Sequence, residues 1–525
     1  MNRRRILKAA RSFILAPLAA PAIAAPAKTL RFVPQGNLNH PDPLVTIAPV
    51  ARNAGHMIWD QLYGQTLTGQ PVPQMLAGHA LSSDGRTWRF TLREELRFHD
   101  GVPVRAQDCV ASLLRWSKRR AIGLKIAAET DVTRVLDDRR FEIVTKRPFP
   151  LLPAMLARDT FFFVMPERMA NTPPLQQISE FVGSGPYRFV SDEWVSGVRA
   201  VFSRADTYTP RNEPPDFLAG GKRALFDRIE WAVLPDPATA SAALQRGEVD
   251  WLQRPHTDSL PILRKSPGVV VNTVDPFGSM LAFLINHQQP PFNNPALRRA
   301  LLPAIDQATY MQGAIGDDTA IARPGIGFFT PGLGMDSTAG LEALTGKRDI
   351  SLARRLIAES GYRNEKIVIL AATEVPEQSA ISQITADLFG RLGLNVDLVT
   401  MDQGVLEKRR LSREPVEKGG WSIAPLTFDG LSAADPSSHQ ILRGIGTAGF
   451  FGWPDIPELE AQRNRWFDAP DRDAQQAICR EMQRTAFDAV PFMPLGHWFA
   501  PTALRANLTA PVRAPFPIFW GIDRS

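Results

Sequence analysis

The chain has 525 residues, of which 60 are basic and 54 are acidic. Residues 1–24 hold five of the basic residues and none of the acidic ones, which leaves 55 basic against 54 acidic residues in the remainder. A nearly neutral chain without a basic cluster disfavours a nucleic-acid-binding function, and about 500 residues exceed one hydrophobic core, so we expect two or three domains.

The first 25 residues have the pattern of an export signal. Arg3, Arg4 and Arg5 form a charged start, and a short apolar run ends in small residues before Ala25. The paired arginines resemble a twin-arginine signal, although the Sec route stays open. No later run approaches the roughly 18 to 20 apolar residues of a membrane-spanning helix. We therefore expect cleavage near Ala25 and a soluble periplasmic protein.

The segment that follows residue 82 predicts a hairpin, a turn and a helix. Apolar and polar residues alternate over 88–92 and again over 96–98, which is typical of two half-buried strands. The Asp-Gly pair at 100–101 predicts a turn. An apolar face over 106–116 then predicts an amphipathic helix.

His99 and Asp100 lie at this turn and allow two interpretations. They could be the acid and base of an active site, or polar residues that close a loop. Consecutive side chains at the end of a strand point in different directions, and the sequence ties no serine or cysteine nucleophile to them. We predict a structural role for both residues.

Cys109 and Cys479 are the two cysteines of the chain. They could form a disulfide in an oxidising compartment, but we favour two buried free thiols.

Residues 366–398 predict a β-α-β unit. A buried strand over 366–371 is followed by one apolar helical face that ends at Gly393, and then by an alternating strand over 394–398. Such a unit requires a parallel sheet covered by helices, so the lobe around 280–485 should be α/β.

The sequence motifs of nucleotide-binding proteins, hydrolases and metal sites are incomplete or missing. The glycine pattern at 444–449 follows no strand and precedes no helix, and the segment 340–348 has Arg348 where a phosphate loop needs serine or threonine. The sequence contains no nucleophile elbow, no HExxH and no histidines at ligand spacing. We therefore predict no catalytic residue, no metal site and no cofactor.

Several blocks occur in a fixed order along the mature chain. They are "PQMLAGHALSSDG" at 73–85, "RFHDG" at 97–101, "GSGPYRF" at 183–189, "ATASAALQRGEVD" at 238–250, "FLINHQQPPFNNPALRRALLPAID" at 283–306, "ISLARRLIAESGY" at 350–362 and "VPFMPLG" at 490–496. Together they resemble the family 5 extracellular solute-binding proteins of ABC transporters, a group that includes oligopeptide, dipeptide and nickel binders.

The resemblance implies an α/β, two-lobed periplasmic binding protein fold of the large, three-domain type. Lobe I would be discontinuous, from 26–57, 180–278 and 488–525. A small domain II would comprise 58–179, and lobe III would comprise 279–487. Crossings near 278 and 487 would form a hinge, with the ligand in the cleft between the lobes.

The implied function is the capture of a peptide or peptide-like solute and its delivery to the transmembrane subunits of an ABC permease. The protein would act as a monomer without a nucleic-acid partner and without covalent chemistry. A secreted hydrolase of unrecognised type is the alternative, and its only sequence hint is the His99–Asp100 pair.

The resemblance also suggests ligand-binding residues within 419–436. In peptide-binding relatives a glycine-tryptophan pair is followed, three residues later, by an aspartate that binds the α-ammonium group of the peptide. Here Trp421 matches the tryptophan of that pair, but Ala424 replaces the aspartate. The Trp421 ring could line the cleft, with Ser422 beside it as a further candidate, or it could be a buried core residue. Asp429 or Asp435 could supply the missing carboxylate, although each is also an ordinary turn residue. Without it, free peptides should bind poorly, so we expect a modified or blocked peptide, an amino-acid conjugate or another polar metabolite.

Overall fold

The computed structural model describes residues 28–46, 48–469 and 471–525, so the predicted export signal lies outside the described residues. These residues form a seven-stranded, a six-stranded and a four-stranded sheet, together with a two-stranded ribbon. Within them, no helix is long and apolar enough to cross a membrane. We refer to the parts built on the seven-, four- and six-stranded sheets as lobe I, domain II and lobe III.

Lobe I combines strands from three separate parts of the chain. The central strand Thr29–Val33 is parallel to both of its neighbours, whereas the outer strands pair in antiparallel fashion. In spatial order the strands are Val269–Asn272, Thr502–Arg505, Trp251–Leu252, Thr29–Val33, Arg228–Ala232, Arg199–Arg204 and Tyr187–Phe189. Its helices are Pro49–Ile58, Pro237–Arg246 and Leu260–Lys265.

Domain II is an antiparallel sheet packed against short helices. The strands, in spatial order, are Leu76–Leu81, Thr87–Leu92, Arg140–Thr145 and Thr130–Val135. The helices are Ala106–Trp116, Ala121–Glu129, Leu152–Arg158 and Glu167–Ala170, and the ribbon pairs Tyr63–Gln65 with Pro71–Pro73.

Lobe III contains the predicted β-α-β unit. Strands Ile367–Ala372 and Val396–Met401 pair in parallel and are joined by helix Pro376–Arg391. The spatial order is Ala322–Arg323, Phe492–Trp498, Ser279–Ile285, Ile423–Asp429, Ile367–Ala372 and Val396–Met401. The other helices of this lobe are Pro295–Leu301, Gln307–Ala314, Glu342–Thr345, Ile350–Glu359, Gln403–Arg410, Pro457–Phe467 and Arg472–Ala489. The prediction of an α/β lobe is confirmed.

The boundary predicted at 487 is wrong by about one strand. Phe492–Trp498, which that boundary assigns to lobe I, pairs with Ser279–Ile285 in the sheet of lobe III. The chain returns to the lobe I sheet only at Thr502. Sequence blocks cannot reveal this, because an apolar strand such as 492–498 suits the interior of either sheet.

The predicted hairpin over 88–98 is also wrong, although its first strand is correct. Thr87–Leu92 pairs with Leu76–Leu81 and with Arg140–Thr145, not with residues 96–98. The later segment forms its own narrow loop, in which Phe98 N–H donates to Val102 O at 2.9 Å. Alternation identifies a half-buried strand but does not identify its partner.

Three smaller predictions are confirmed. Helix Ala106–Trp116 begins where its apolar face predicted. Cys109 and Cys479 are both buried free thiols. Residues 444–449 form a loop that contains the short turn Gly446–Ala448.

Candidate functional site

The His99 side chain joins domain II to lobe I. Its Nδ1 accepts the Gly183 N–H at 3.1 Å, and its Nε2 lies 3.0 Å from Gly185 O. These partners assign the neutral tautomer with the proton on Nε2. Burial lowers the pKa of His99 to about 4, which keeps the ring neutral. Both ring nitrogens are therefore used to connect two sequence blocks, 97–101 and 183–189.

Asp100 turns away from this ring. One carboxylate oxygen accepts the Val102 N–H at 3.1 Å, and the other accepts a hydrogen bond from Arg168 at 3.0 Å. His99 and Asp100 thus make separate structural contacts, as predicted, and they do not form an acid-base pair.

One edge of the lobe III sheet faces the other two parts of the molecule. Strands Ile367–Ala372, Val396–Met401 and Ile423–Asp429 run parallel, so their carboxyl ends share that edge. Just beyond it, Glu377 pairs with Arg254 of lobe I at 2.8 Å, and Asp435 pairs with Arg158 of domain II at 2.9 Å. Ligands of open α/β sheets bind beyond the carboxyl ends of the strands. We therefore take this edge as the candidate site.

Two of the four predicted ligand-binding residues lie at the opposite edge. Trp421 is 0% exposed, and its Nε1 donates to Arg410 O at 3.1 Å. Ser422 Oγ accepts the Val368 N–H at 3.1 Å within the sheet. Strand Ile423–Asp429 separates these residues from the candidate site by roughly 20 Å, at about 3.3 Å per residue. The structure thus gives Trp421 and Ser422 core and sheet contacts and does not bring them to the candidate site.

Ala424 also lies inside the sheet. It is 0% exposed and pairs with Leu284. Counting three residues from Trp421 therefore ends in the strand interior, and the carboxylate at the carboxyl end of this strand is that of Asp429. The alanine at position 424 therefore does not indicate whether the protein binds the amino group of a solute.

Asp429 and Asp435 both lie at the candidate site, but they differ in what they bind. One oxygen of Asp429 accepts hydrogen bonds from the backbone and hydroxyl of Ser432, both at 2.9 Å. Its other oxygen faces Arg52 of lobe I at 4.0 Å. Both oxygens of Asp435 are engaged, by Ser437 and by Arg158. Asp429 is the carboxylate with an oxygen still available to a ligand.

Sequence reasoning missed the lobe I side of the site. Arg52 and His56 project from one face of helix Pro49–Ile58 and are buried. His56 stacks on Phe516 with ring centroids 5.0 Å apart, and Arg52 lies over the same ring at 4.1 Å. Burial, then the charges of Lys222 and Arg52, hold the pKa of His56 well below its usual value. Charged or titratable residues at i and i+4 of a mainly apolar helix were the available signal.

The floor of the site is an apolar cluster that lobes I and III share. Its buried members include Phe217, Phe277, Leu431, Phe516 and Trp520. Nearby, burial raises the pKa of Asp275 to about 7, although its carboxylate accepts backbone hydrogen bonds from Phe277 and Gly278. Among residues 28–46, 48–469 and 471–525, no group of three histidine, cysteine or carboxylate side chains is placed to hold a metal. The site can therefore offer aromatic surface and opposite charges from its two walls.

Comparison with known proteins agrees with this architecture. The profile of the bacterial extracellular solute-binding proteins, family 5, matches residues 70–440. A probable peptide ABC transporter periplasmic-binding protein of Sinorhizobium fredii is 36% identical over 502 residues, which cover 95% of this chain and 94% of that protein. The nickel-binding periplasmic protein of Escherichia coli is 23% identical, with 85% and 84% of the two chains covered.

Solved structures share the fold. A dipeptide-binding protein from Pseudoalteromonas, in complex with Met-Leu, has a TM-score of 0.79 at 17% identity and covers 95% of this chain and 100% of its own. The Agrobacterium protein AgaA, in complex with agropinic acid, has a TM-score of 0.76 at 19% identity, with 95% and 99% covered. The two-lobed fold is confirmed, and these relatives are binding proteins, not enzymes. The chain belongs to the bacterial extracellular solute-binding proteins of family 5.

Proposed function

We propose that the chain is the periplasmic component of an ABC importer, which captures a peptide or peptide-like solute between lobes I and III and delivers it to the membrane permease. The observation that carries the proposal is the edge of the lobe III sheet, where Asp429 faces Arg52 of lobe I above a shared aromatic floor. The name of the Sinorhizobium relative supports the peptide class and the transporter.

Closure of two lobes is the mechanism that we propose. The chain passes between the two sheets at 273–278 and at 499–501, and these connections lie side by side, since His497 Nε2 is 2.6 Å from Phe277 O. A few residues at adjacent crossings can act as a hinge. A solute that contacts both lobes stabilises the closed form relative to the open one.

We expect solute binding to compact the monomer. The solute-free protein should exchange between open and closed forms, and a bound solute should favour the closed form, so the radius of gyration should fall. Small-angle scattering on protein stripped by mild denaturation and refolded, with and without the solute released from it, measures this change. Identical scattering curves at saturating solute would contradict the proposed closure.

We further propose that Asp429 is the lobe III carboxylate that binds an amino group of the solute, because one of its oxygens is free of hydrogen bonds to described residues. Free peptides are therefore included among the candidate solutes, beside modified peptides and amino-acid conjugates.

The alternative function, that of a secreted hydrolase, predicts a different fate for the solute. A binding protein returns every solute intact, whereas a hydrolase releases products. Incubation with a mixed peptide library, followed by mass spectrometry, separates the two functions, and cleavage products that persist after repurification would favour the hydrolase.

We propose that residues 1–25 direct export through the twin-arginine route. Replacement of Arg3 and Arg4 by lysine should abolish most periplasmic protein, because that route reads the arginine pair. Fractionation with antibody detection measures the yield, and N-terminal sequencing should locate the mature start near Ala25. Normal periplasmic yield from the double-lysine variant would favour the Sec route and leave export itself intact.

A further inference from the structure

Arg52 is a buried cation at the junction of the lobes. Its side chain is only 8% exposed. The guanidinium lies 4.1 Å from the centre of the Phe516 ring and 5.9 Å from that of Phe161. These rings hold the planar group in place from lobe I and domain II, so its orientation is set before any solute arrives.

Among the described residues none accepts a hydrogen bond from the Arg52 guanidinium, and its Nε is buried without a partner. The nearest carboxylate oxygen, on Asp429, is 4.0 Å away, which is an ion-pair distance but too long for a hydrogen bond. A buried charge without hydrogen bonds is costly, and proteins usually satisfy such groups.

A second buried polar atom lies on the strand that carries Asp429. Thr427 Oγ1, two residues before Asp429, is buried without a partner within the described chain. Residues 427 and 429 share one face of their strand. The Arg52 guanidinium of lobe I and the Thr427 hydroxyl of lobe III, both without partners among the described residues, point to a polar group that enters between the lobes.

We propose that Arg52 binds a carboxylate of the solute, and this inference rests on the proposed function. The five N–H donors of a guanidinium match the two oxygens of a carboxylate in a bidentate pair. Asp429 already supplies one negative charge beside the guanidinium, which disfavours a doubly charged phosphate and tolerates a singly charged carboxylate. With the amino group on Asp429, the solute links lobe I to lobe III.

The test uses the solute released from wild-type protein purified from periplasm, together with its methyl ester. Treatment with acidic methanol converts a carboxyl group to the ester, which mass spectrometry detects. Calorimetry on stripped wild-type protein should show the ester binding about ten- to a hundredfold more weakly than the acid. Arg52→Gln should bind the acid as weakly as the ester. Loss of this discrimination distinguishes a carboxylate anchor from a residue that merely supports the fold.

Arg410→Gln is the matched control. The Arg410 guanidinium also lies over a phenylalanine ring, at 4.7 Å, and its Nε is also buried without a partner in the described chain, but it belongs to lobe III alone. This variant should discriminate acid from ester as wild type does. Should Arg52→Gln fail to fold, Arg52→Lys carries the test, since it keeps the charge but loses the bidentate fork and should bind the acid severalfold more weakly.

Three results would overturn the inference and leave the proposed function standing. They are a released solute without a carboxyl group, equal wild-type affinity for acid and ester, and an unchanged preference for the acid in Arg52→Gln. Where only Arg52→Lys folds, the third result is instead wild-type affinity of that variant for the acid. A wild-type protein that carries no solute, and binds none from a mixed peptide library, would instead contradict the proposed function.

Discussion

Lys222→Met should lower the free energy of unfolding by about 3 to 5 kcal/mol, as expected when one partner of a buried ion pair is removed. Lys222 Nζ lies 2.7 Å from Asp60 Oδ1, with side chains 0% and 1% exposed. The second oxygen of Asp60 accepts the Tyr208 hydroxyl at 2.8 Å. In the variant, Asp60 keeps its charge in the interior of the protein without the cation. Urea unfolding of both proteins at neutral pH measures the loss.

The size of this loss should depend on pH. Burial alone would raise the pKa of Asp60, but the charge and hydrogen bond of Lys222 lower it overall from 3.8. A lowered folded pKa contributes stability above the unfolded value, and this stability disappears as the pH falls through the folded pKa. The gap between wild type and Lys222→Met should therefore narrow in acid, where Asp60 can become neutral.

Two controls isolate burial as the cause. Adding Asp60→Asn to Lys222→Met should recover part of the loss, because no buried charge remains. Lys366→Met breaks a pair with the same 2.7 Å distance, to Asp397, but with side chains 47% and 42% exposed. It should cost at most about 1 kcal/mol. Equal losses in the two lysine variants would show that distance, and not burial, sets the cost.

The fold was predictable where a local pattern determines the structure. The alternation and helical period over 366–398 defined a complete β-α-β unit, since that unit is built from consecutive residues. The hairpin over 88–98 failed because Thr87–Leu92 pairs with the preceding strand Leu76–Leu81 and with the distant strand Arg140–Thr145, and not with the residues that follow it. The boundary at 487 also failed because of a distant partner. Strand Phe492–Trp498 belongs to lobe III because it pairs with Ser279–Ile285.

The site was less predictable because a motif fixes the spacing of residues along the chain and not their positions in the fold. The match at Trp421 assumed that three residues lead to the cleft, but the strand continues to Asp429 before it reaches that edge. Arg52 carries no motif, and its role depends on rings at 161 and 516 that lie far away in sequence. Asp429 was suggested by its charge alone, and only the fold shows that Arg52 lies opposite it.

Gly183→Ala should be the most damaging small substitution in the "GSGPYRF" block. A Cβ atom at this position would lie 1.8 Å from Ile58 O and 2.7 Å from His99 Cε1. Ile58 O cannot move freely, because it accepts the Gly185 N–H at 2.8 Å. We expect a loss of about 3 kcal/mol or more, the upper range for an overpacked interior. Thermal or urea unfolding measures it.

Gly390→Ala provides the comparison, since its Cβ would meet nothing within 4 Å and the residue lies in helix Pro376–Arg391. This variant should be neutral or more stable by up to about 1 kcal/mol, from helix propensity. The double variant Gly183→Ala with His99→Ala then identifies the obstacle. It removes the contact with the ring but keeps the Ile58 carbonyl, so it should stay as unstable as Gly183→Ala or become less stable. Recovery of stability there would mean that the histidine, and not the backbone of helix Pro49–Ile58, is what requires a glycine at position 183.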